Sequence, residues 1–183
     1  MAKLISKTYA DALFEIAIEQ NKVDSLMEEA SSMKQILIDN CELCNLLNHP
    51  QIMKEEKIKV VEDIFKGRIS DEILGLFVII VQKDRFKVFQ DVLDYFIDEI
   101  KEYKGIGVAY VTSAIELNEI QKSNIVEKLL KTTKYNAMEM IYIVDKKLIG
   151  GMIIRVNDRV VDSSLATKLA TMQADLHKIQ LKG

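Results

Sequence analysis

The sequence predicts a mostly helical α+β protein: a bundle of about six helices over residues 1–104, then a small α+β domain over 105–183 with a short mixed sheet and a closing helix. Two observations carry this. Up to Lys104 the apolar residues recur at helical spacing, with one Pro and few Gly to interrupt them. After Gly105 the period shortens to that of strands, and helical spacing returns only in two later stretches. Tyr103 to Gly107, with two Gly, is the expected boundary, and 183 residues suffice for two small domains.

The first helix is expected over Leu4–Ile18, with Ala10, Leu13, Phe14, Ala17 and Ile18 at helical spacing. A second carries Val23, Leu26, Met27, Ala30, Met33 and Leu37, and a short apolar turn follows around Leu43–Leu47. His49-Pro50 breaks the pattern, since helix is disfavoured before Pro. Another helix carries Ile58, Val61, Ile64 and Phe65 and stops at Gly67. Ser70-Asp71-Glu72 offers a cap and an acidic first turn to a helix running to about Lys83. The last helix of this half carries Phe86, Phe89, Leu93, Phe96, Ile97, Ile100 and Tyr103 and ends at Gly105.

Beyond Gly105, Val108–Thr112 reads as a strand, and Asn118-x-x-Gln121 as a capping box opening a helix with Ile125, Leu129 and Leu130. Met138–Val144 and Met152–Val156 are further strands, and Arg159–Val161 a short fourth after a two-residue turn at Asn157-Asp158. The closing helix carries Leu165, Leu169, Met172, Leu176 and Ile179. Their steps of four and three give the narrow seam by which one helix packs on another.

No catalytic constellation emerges. Gly150-Gly151 lacks the spacing and the lysine of a phosphate loop, there is no Gly-x-Ser-x-Gly elbow, and His49 and His177 are far apart. Cys41 and Cys44 have C-x-x-C spacing, which raises redox or zinc chemistry. A structural zinc needs four ligands, and Cys41, Cys44 and His49 supply three, so the pair is read as two small apolar residues on a short helix. No cofactor or metal is expected. A net charge of −3 gives no basic excess for phosphates, so nucleic acid is not an expected partner. The longest apolar run, Ile73–Val81, is less than half a membrane span, so no direct insertion is expected. A lysine in the would-be apolar region of the N-terminus argues against a secretory signal and for the cytoplasm or the inner face of a membrane.

Two features point to protein binding. Leu74–Val81 is apolar all round and calls for cover on every side, either as the central helix of the bundle or as one wall of a groove for a partner's helix. The helix Leu4–Ile18 is apolar on more than one stripe, through Leu13 and Ala17 but also Ile5, Tyr9 and Ile16, and would form the other wall. The second feature is the seam of the closing helix, which packs either on its own strands or on a partner.

Tyr9–Ala17 (Tyr-Ala-Asp-Ala-Leu-Phe-Glu-Ile-Ala) resembles the opening helix of bacterial F-type ATP synthase delta subunits and of their mitochondrial relative, the oligomycin-sensitivity-conferring protein. Met140–Asn157 is similar to that family's signature, including Asp145 before the loop and the Leu148-x-Gly150-Gly151 core. Thr112-Ser113-Ala114-x-x-Leu117 resembles the family's lead-in to the preceding helix, and Asp162-Ser163-Ser164 its Asp-Gly-Ser. Glu116 stands where the family often has Pro, and Asn157 and Ser163 where it often has Gly.

The resemblance implies a non-catalytic peripheral-stalk subunit, one copy per complex, at the cytoplasmic face of the bacterial plasma membrane. It would link the catalytic head to the b-subunit stalk so that proton flow is coupled to ATP synthesis. Residues 1–104 would bind the amphipathic N-terminal helix of an alpha subunit, in a groove with Tyr9, Leu13 and Ala17 on one side and Ile73, Phe77 and Ile80 on the other. Residues 105–183 would bind the C-terminal end of the b subunit through Leu169, Met172 and Leu176. The Gly pair has a structural role, a tight turn with close backbone approach. The alternatives are a general helical adaptor in another assembly, which needs the groove but not the Gly pair, and a redox or metal protein using Cys41 and Cys44.

Overall fold

The computed structural model describes residues 2–157 and 159–180, with the backbone alone at Ala2, Lys3 and 174–180. The chain divides into two compact units, Met1–Tyr103 and Lys104–Gly183.

Among the described residues, six α-helices make up the first unit: α1 Ala2–Glu19, α2 Val23–Asp39, α3 Cys41–Asn48, α4 Lys54–Phe65, α5 Asp71–Gln82 and α6 Phe89–Tyr103. Each turns its strongest apolar stripe inward: Ala10, Leu13 and Ala17 from α1, Leu26, Ala30, Met33 and Leu37 from α2, Val92, Leu93, Phe96 and Ile100 from α6. α1 and α2 pack on α6, and α4 packs on α5. Phe77 is the centre of the core. Its ring stacks on Phe89 with centroids 4.4 Å apart, and Phe65 and Phe86 lie 5.6 and 5.8 Å away.

Three expectations need correction here. Phe86 does not begin the last helix but lies in a 3-10 turn, Phe86–Val88, after Asp84 has reversed the chain at φ +59°. Ser70 sits at the N-cap of α5 with β-region dihedrals, yet its hydroxyl makes no capping bond and is buried without a partner. Its amide instead donates to Glu29 Oε2 at 2.9 Å, so a long-range carboxylate holds this chain entry. The third concerns one of the two alternatives for α5: it is not a fully covered central helix, because Gly75 and Ile79 face solvent. One charged group is buried unexpectedly: Lys57 of α4 is 2% exposed, with Nζ 3.7 Å from Asp84 Oδ1.

The second unit is a four-stranded mixed sheet in the order β2-β1-β3-β4, with β1 Ile106–Ser113, β2 Ala137–Val144, β3 Met152–Val156 and β4 Arg159–Asp162. β1 runs parallel to β2 and antiparallel to β3, and β3 is antiparallel to β4. The parallel pair requires a crossover, supplied by α7 Glu119–Thr132, which packs on β2. α7 opens on the expected capping box: Gln121 N donates to Asn118 Oδ1 at 2.8 Å and Asn118 N to Gln121 Oε1 at 3.0 Å. Ala109 and Val111 on one face of β1 are buried, as is Ile125 of α7. Val156 pairs with Arg159, so two residues turn the β3–β4 corner, and Asn157 adopts φ +49°. Asp158 lies outside the described residues. The closing helix α8 spans Leu165–Gln180.

Candidate interaction surfaces

α1 and α5 are in contact. Of the six groove residues expected on them, Leu13, Ala17, Ile73, Phe77 and Ile80 are at most 2% exposed. They are the seam that joins these helices to the core, and only Tyr9 reaches solvent in part. The reason is general: the strongest apolar stripe of a helix goes to its own core, which leaves a second stripe for any partner. On α1 the second stripe is Ile5, Tyr9, Ala12 and Ile16, spaced four, three and four, all half-buried or exposed. The opposite flank of α1 turns to α6, where Phe14 meets the Tyr103 ring edge-on at 5.6 Å. On α5 the outward residues are Leu74, Gly75, Val78 and Ile79, again apolar. Lys22 Nζ, in the α1–α2 turn, bonds Glu72 Oε1 in the first turn of α5 at 2.8 Å, which keeps that carboxyl below the usual carboxylate range.

Near the α1–α6 contact the Glu99 carboxyl is pushed above its ordinary value, first by burial and then by the Asp11 carboxylate. Lys7 pulls it back and Glu15 adds to the rise.

In the second unit the apolar surface gathers at the C-terminal end of β1. Asp145 follows β2, its amide bonded to Ser113 O at 2.8 Å, and its Oδ1 accepts from Lys147 N at 2.9 Å, opening a 3-10 turn Lys146–Leu148. Leu148 is buried. Next comes Ile149 at φ +63°, ψ −38°, with Gly150 N donating to Leu148 O at 2.6 Å. This is a γ-turn of the rare positive-φ form, and its central residue is β-branched, a combination that costs about 1–3 kcal/mol. The Ile149 side chain is 67% exposed.

The two glycines that follow admit the root of α8. A Cβ on Gly150 would come within 2.7 Å of Leu165 Cδ1. One on Gly151, itself at φ +77°, would stand 2.4 Å from Ser163 O. Ser163 N and Oγ both donate to Met152 O, and Leu165 N donates to Gly150 O. Ser164 caps α8, its Oγ accepting from Thr167 N. Asp162 takes the Thr167 hydroxyl and the Ser164 amide, and these bonds hold its carboxyl below the usual range. Sequence reading missed this cap, although a Ser just before an apolar helical run is a favoured N-cap residue.

The seam of α8 is only partly covered in the described part of its unit: Leu165, Leu169 and Met172 are 46%, 55% and 63% exposed. Leu176 lies outside the residues whose side chains are described. A shallow hollow of about 260 Å³ on the open face of the sheet, lined by Tyr110, Ile143, Ile153, Arg155 and Val160, is another apolar surface that sequence reading did not single out.

Cys41 is exposed and Cys44 half-buried, their thiols donating to Ile38 O and Leu37 O. Burial, then the neighbouring Cys41, raises the Cys44 thiol. Among the described residues no cluster of three or more His, Cys, Asp or Glu could hold a metal, and no helix is long and apolar enough to cross a membrane.

Residues 5–176 match the sequence profile of the family described as "ATP synthase delta (OSCP) subunit". The chain is 52% identical to the ATP synthase subunit delta of Lachnoclostridium phytofermentans, over 99% of this chain and all of that one. It is 33% identical to that of Anoxybacillus flavithermus, over 95% of this chain and 97% of the relative. In the cryo-EM structure of the Toxoplasma gondii mitochondrial ATP synthase hexamer, one chain superposes with a TM-score of 0.75 over 93% of this chain and 96% of its own. At 20% identity, that likeness is one of fold.

Proposed function

The chain belongs to the ATP synthase delta (OSCP) subunit family, and on that premise we propose that it is a tether, joining the catalytic head of the enzyme to its peripheral stalk by one apolar surface in each of its two units. It is a non-catalytic part of the stator. Its task is to hold the head against the turning rotor, so that proton flow drives ATP synthesis.

The observation that carries the reading is the presence of a partly uncovered apolar helix stripe in both units, where a protein with a single partner needs only one. In the helical unit, the N-terminal helix of an alpha subunit lies along α1 and α5. It rests on Ile5, Tyr9, Ala12 and Ile16 on one side and on Leu74, Val78 and Ile79 on the other. Leu13, Ala17, Ile73, Phe77 and Ile80 support this surface from below. The outward Gly75 lets the incoming backbone approach closely, as small residues do where helices meet. In the second unit, the C-terminal end of the b stalk subunit lies along Leu165, Leu169 and Met172 of α8. The complex sits at the cytoplasmic face of the plasma membrane, and this subunit attaches to it only through its protein partners.

The test is a titration of the isotope-labelled full chain with a peptide of the alpha-subunit N-terminus, followed by amide shifts. Shifts confined to α1 and α5 support the reading. Shifts elsewhere, or no binding at high peptide concentration, refute this placement of the alpha helix.

A further inference from the structure

We propose that Ile149 is the anchor residue of the stalk-binding surface, kept in a strained backbone so that its side chain stands out beside the α8 seam for an amphipathic helix with acidic flanks. The proposal rests on the stalk reading above and adds a residue and a partner chemistry to it.

Three observations converge. The first is the strain itself. Ile149 takes φ +63° at the centre of a γ-turn, in a region that L residues avoid and β-branched ones most of all. Gly or Asn would relieve the strain, and both neighbours on the C-terminal side are already Gly. The second is that the side chain lies mostly outside the fold. Leu148 before it is buried, whereas Ile149 is among the most exposed large apolar residues of the unit. Strain retained for a side chain two-thirds exposed to solvent points to use outside its own unit.

The third observation is continuity. Leu165 packs over Gly150, the next residue, and its amide bonds Gly150 O. Leu165, Leu169 and Met172 follow at steps of four and three along α8. The apolar stripe of α8 therefore starts over the residue next to Ile149 in the chain, and its steps of four and three suit the repeat of a partner helix. Basic residues border it: Lys146 and Lys147 in the turn and Lys168 on α8, none of them in an ion pair among the described residues. That border selects a helix whose apolar stripe is flanked by Glu or Asp.

The experiment compares the full chain with Ile149→Asn and with Leu169→Asp, using the soluble C-terminal part of the b stalk subunit as probe and thermal unfolding as control. Asn accepts positive φ, so Ile149→Asn is expected to unfold at the same or a higher temperature while binding the probe about tenfold or more weakly. Lys146→Glu with Lys147→Glu slows association and flattens its salt dependence. Ile149→Asn that binds as wild type while Leu169→Asp does not bind overturns the anchor and leaves the stalk reading standing. If neither variant loses binding, both are wrong. A lower unfolding temperature for Ile149→Asn shows that the side chain serves the fold, and also overturns the anchor.

Discussion

Leu165 lies over Gly150, with its amide on the Gly150 carbonyl at 2.9 Å and its Cδ1 only 2.7 Å from where a Gly150 Cβ would stand. The glycine pair is thus the seat of the closing helix, and its two members are not equivalent.

Gly150→Ala meets the end of a half-exposed side chain that can swing aside, and a cost of about 1 kcal/mol is expected. Gly151→Ala meets the Ser163 carbonyl and must also hold φ +77°, so about 2–4 kcal/mol is expected. Thermal unfolding followed by circular dichroism should rank Gly151→Ala below Gly150→Ala. The reverse order would mean that α8 is not seated on this turn.

Phe77→Ala empties the centre of the helical core and should cost about 3–5 kcal/mol in urea unfolding. That is a large share of a typical total of about 5–15 kcal/mol. A change at Phe77 is therefore a stability experiment, and loss of alpha binding in that variant would say nothing about a groove.

Ile79→Asp separates the two effects. At 46% exposure the change should leave stability within about 0.5 kcal/mol. Binding of the alpha-subunit peptide should fall by about tenfold or more, read by calorimetry. Unchanged binding would remove α5 from the groove.

Met172→Asp probes α8 in the same way. Because Met172 is 63% exposed, the melting temperature should hold while binding of the b-subunit fragment is lost. A drop in melting temperature with binding intact would instead mark the seam as internal packing.

Glu99 gives a pH test whose sign is fixed. Its folded-state pKa is raised, so protonation favours the fold, and the ionised group becomes unfavourable as pH rises through that value. Glu99→Gln should raise the melting temperature at neutral pH. The gain should fade as pH falls below the ordinary carboxylate value, where wild-type Glu99 is protonated in both states. A gain independent of pH would point to packing instead of charge.

The sequence was most legible where one local rule acts alone. Asn118 and Gln121 announce their capping box, and the change of period at Gly105 falls within two residues of the division after Tyr103. Ser70 misled because a capping residue type stands at the N-cap while its hydroxyl makes no capping bond, and what holds this chain entry is a bond from its amide to Glu29, 41 residues away. The groove residues misled for a related reason: spacing finds the stripe that Leu13 and Phe77 share, but not that the core has already used it. Ile149 was invisible because nothing in its residue type announces a positive φ. The α8 seam was legible as a seam, and only three-dimensional packing could say that Leu169 and Met172 remain largely exposed.

The root of α8 is bonded directly to the sheet: Ser163 to Met152 twice, Leu165 to Gly150, and Ser164 back to Asp162. Met152 begins β3, which pairs with the central strand β1. Torque delivered to the helix therefore enters the sheet through several short bonds side by side, with no slack linker between them. The joint behaves as a bracket and not as a hinge, so a twist applied to α8 is transmitted before it can be dissipated.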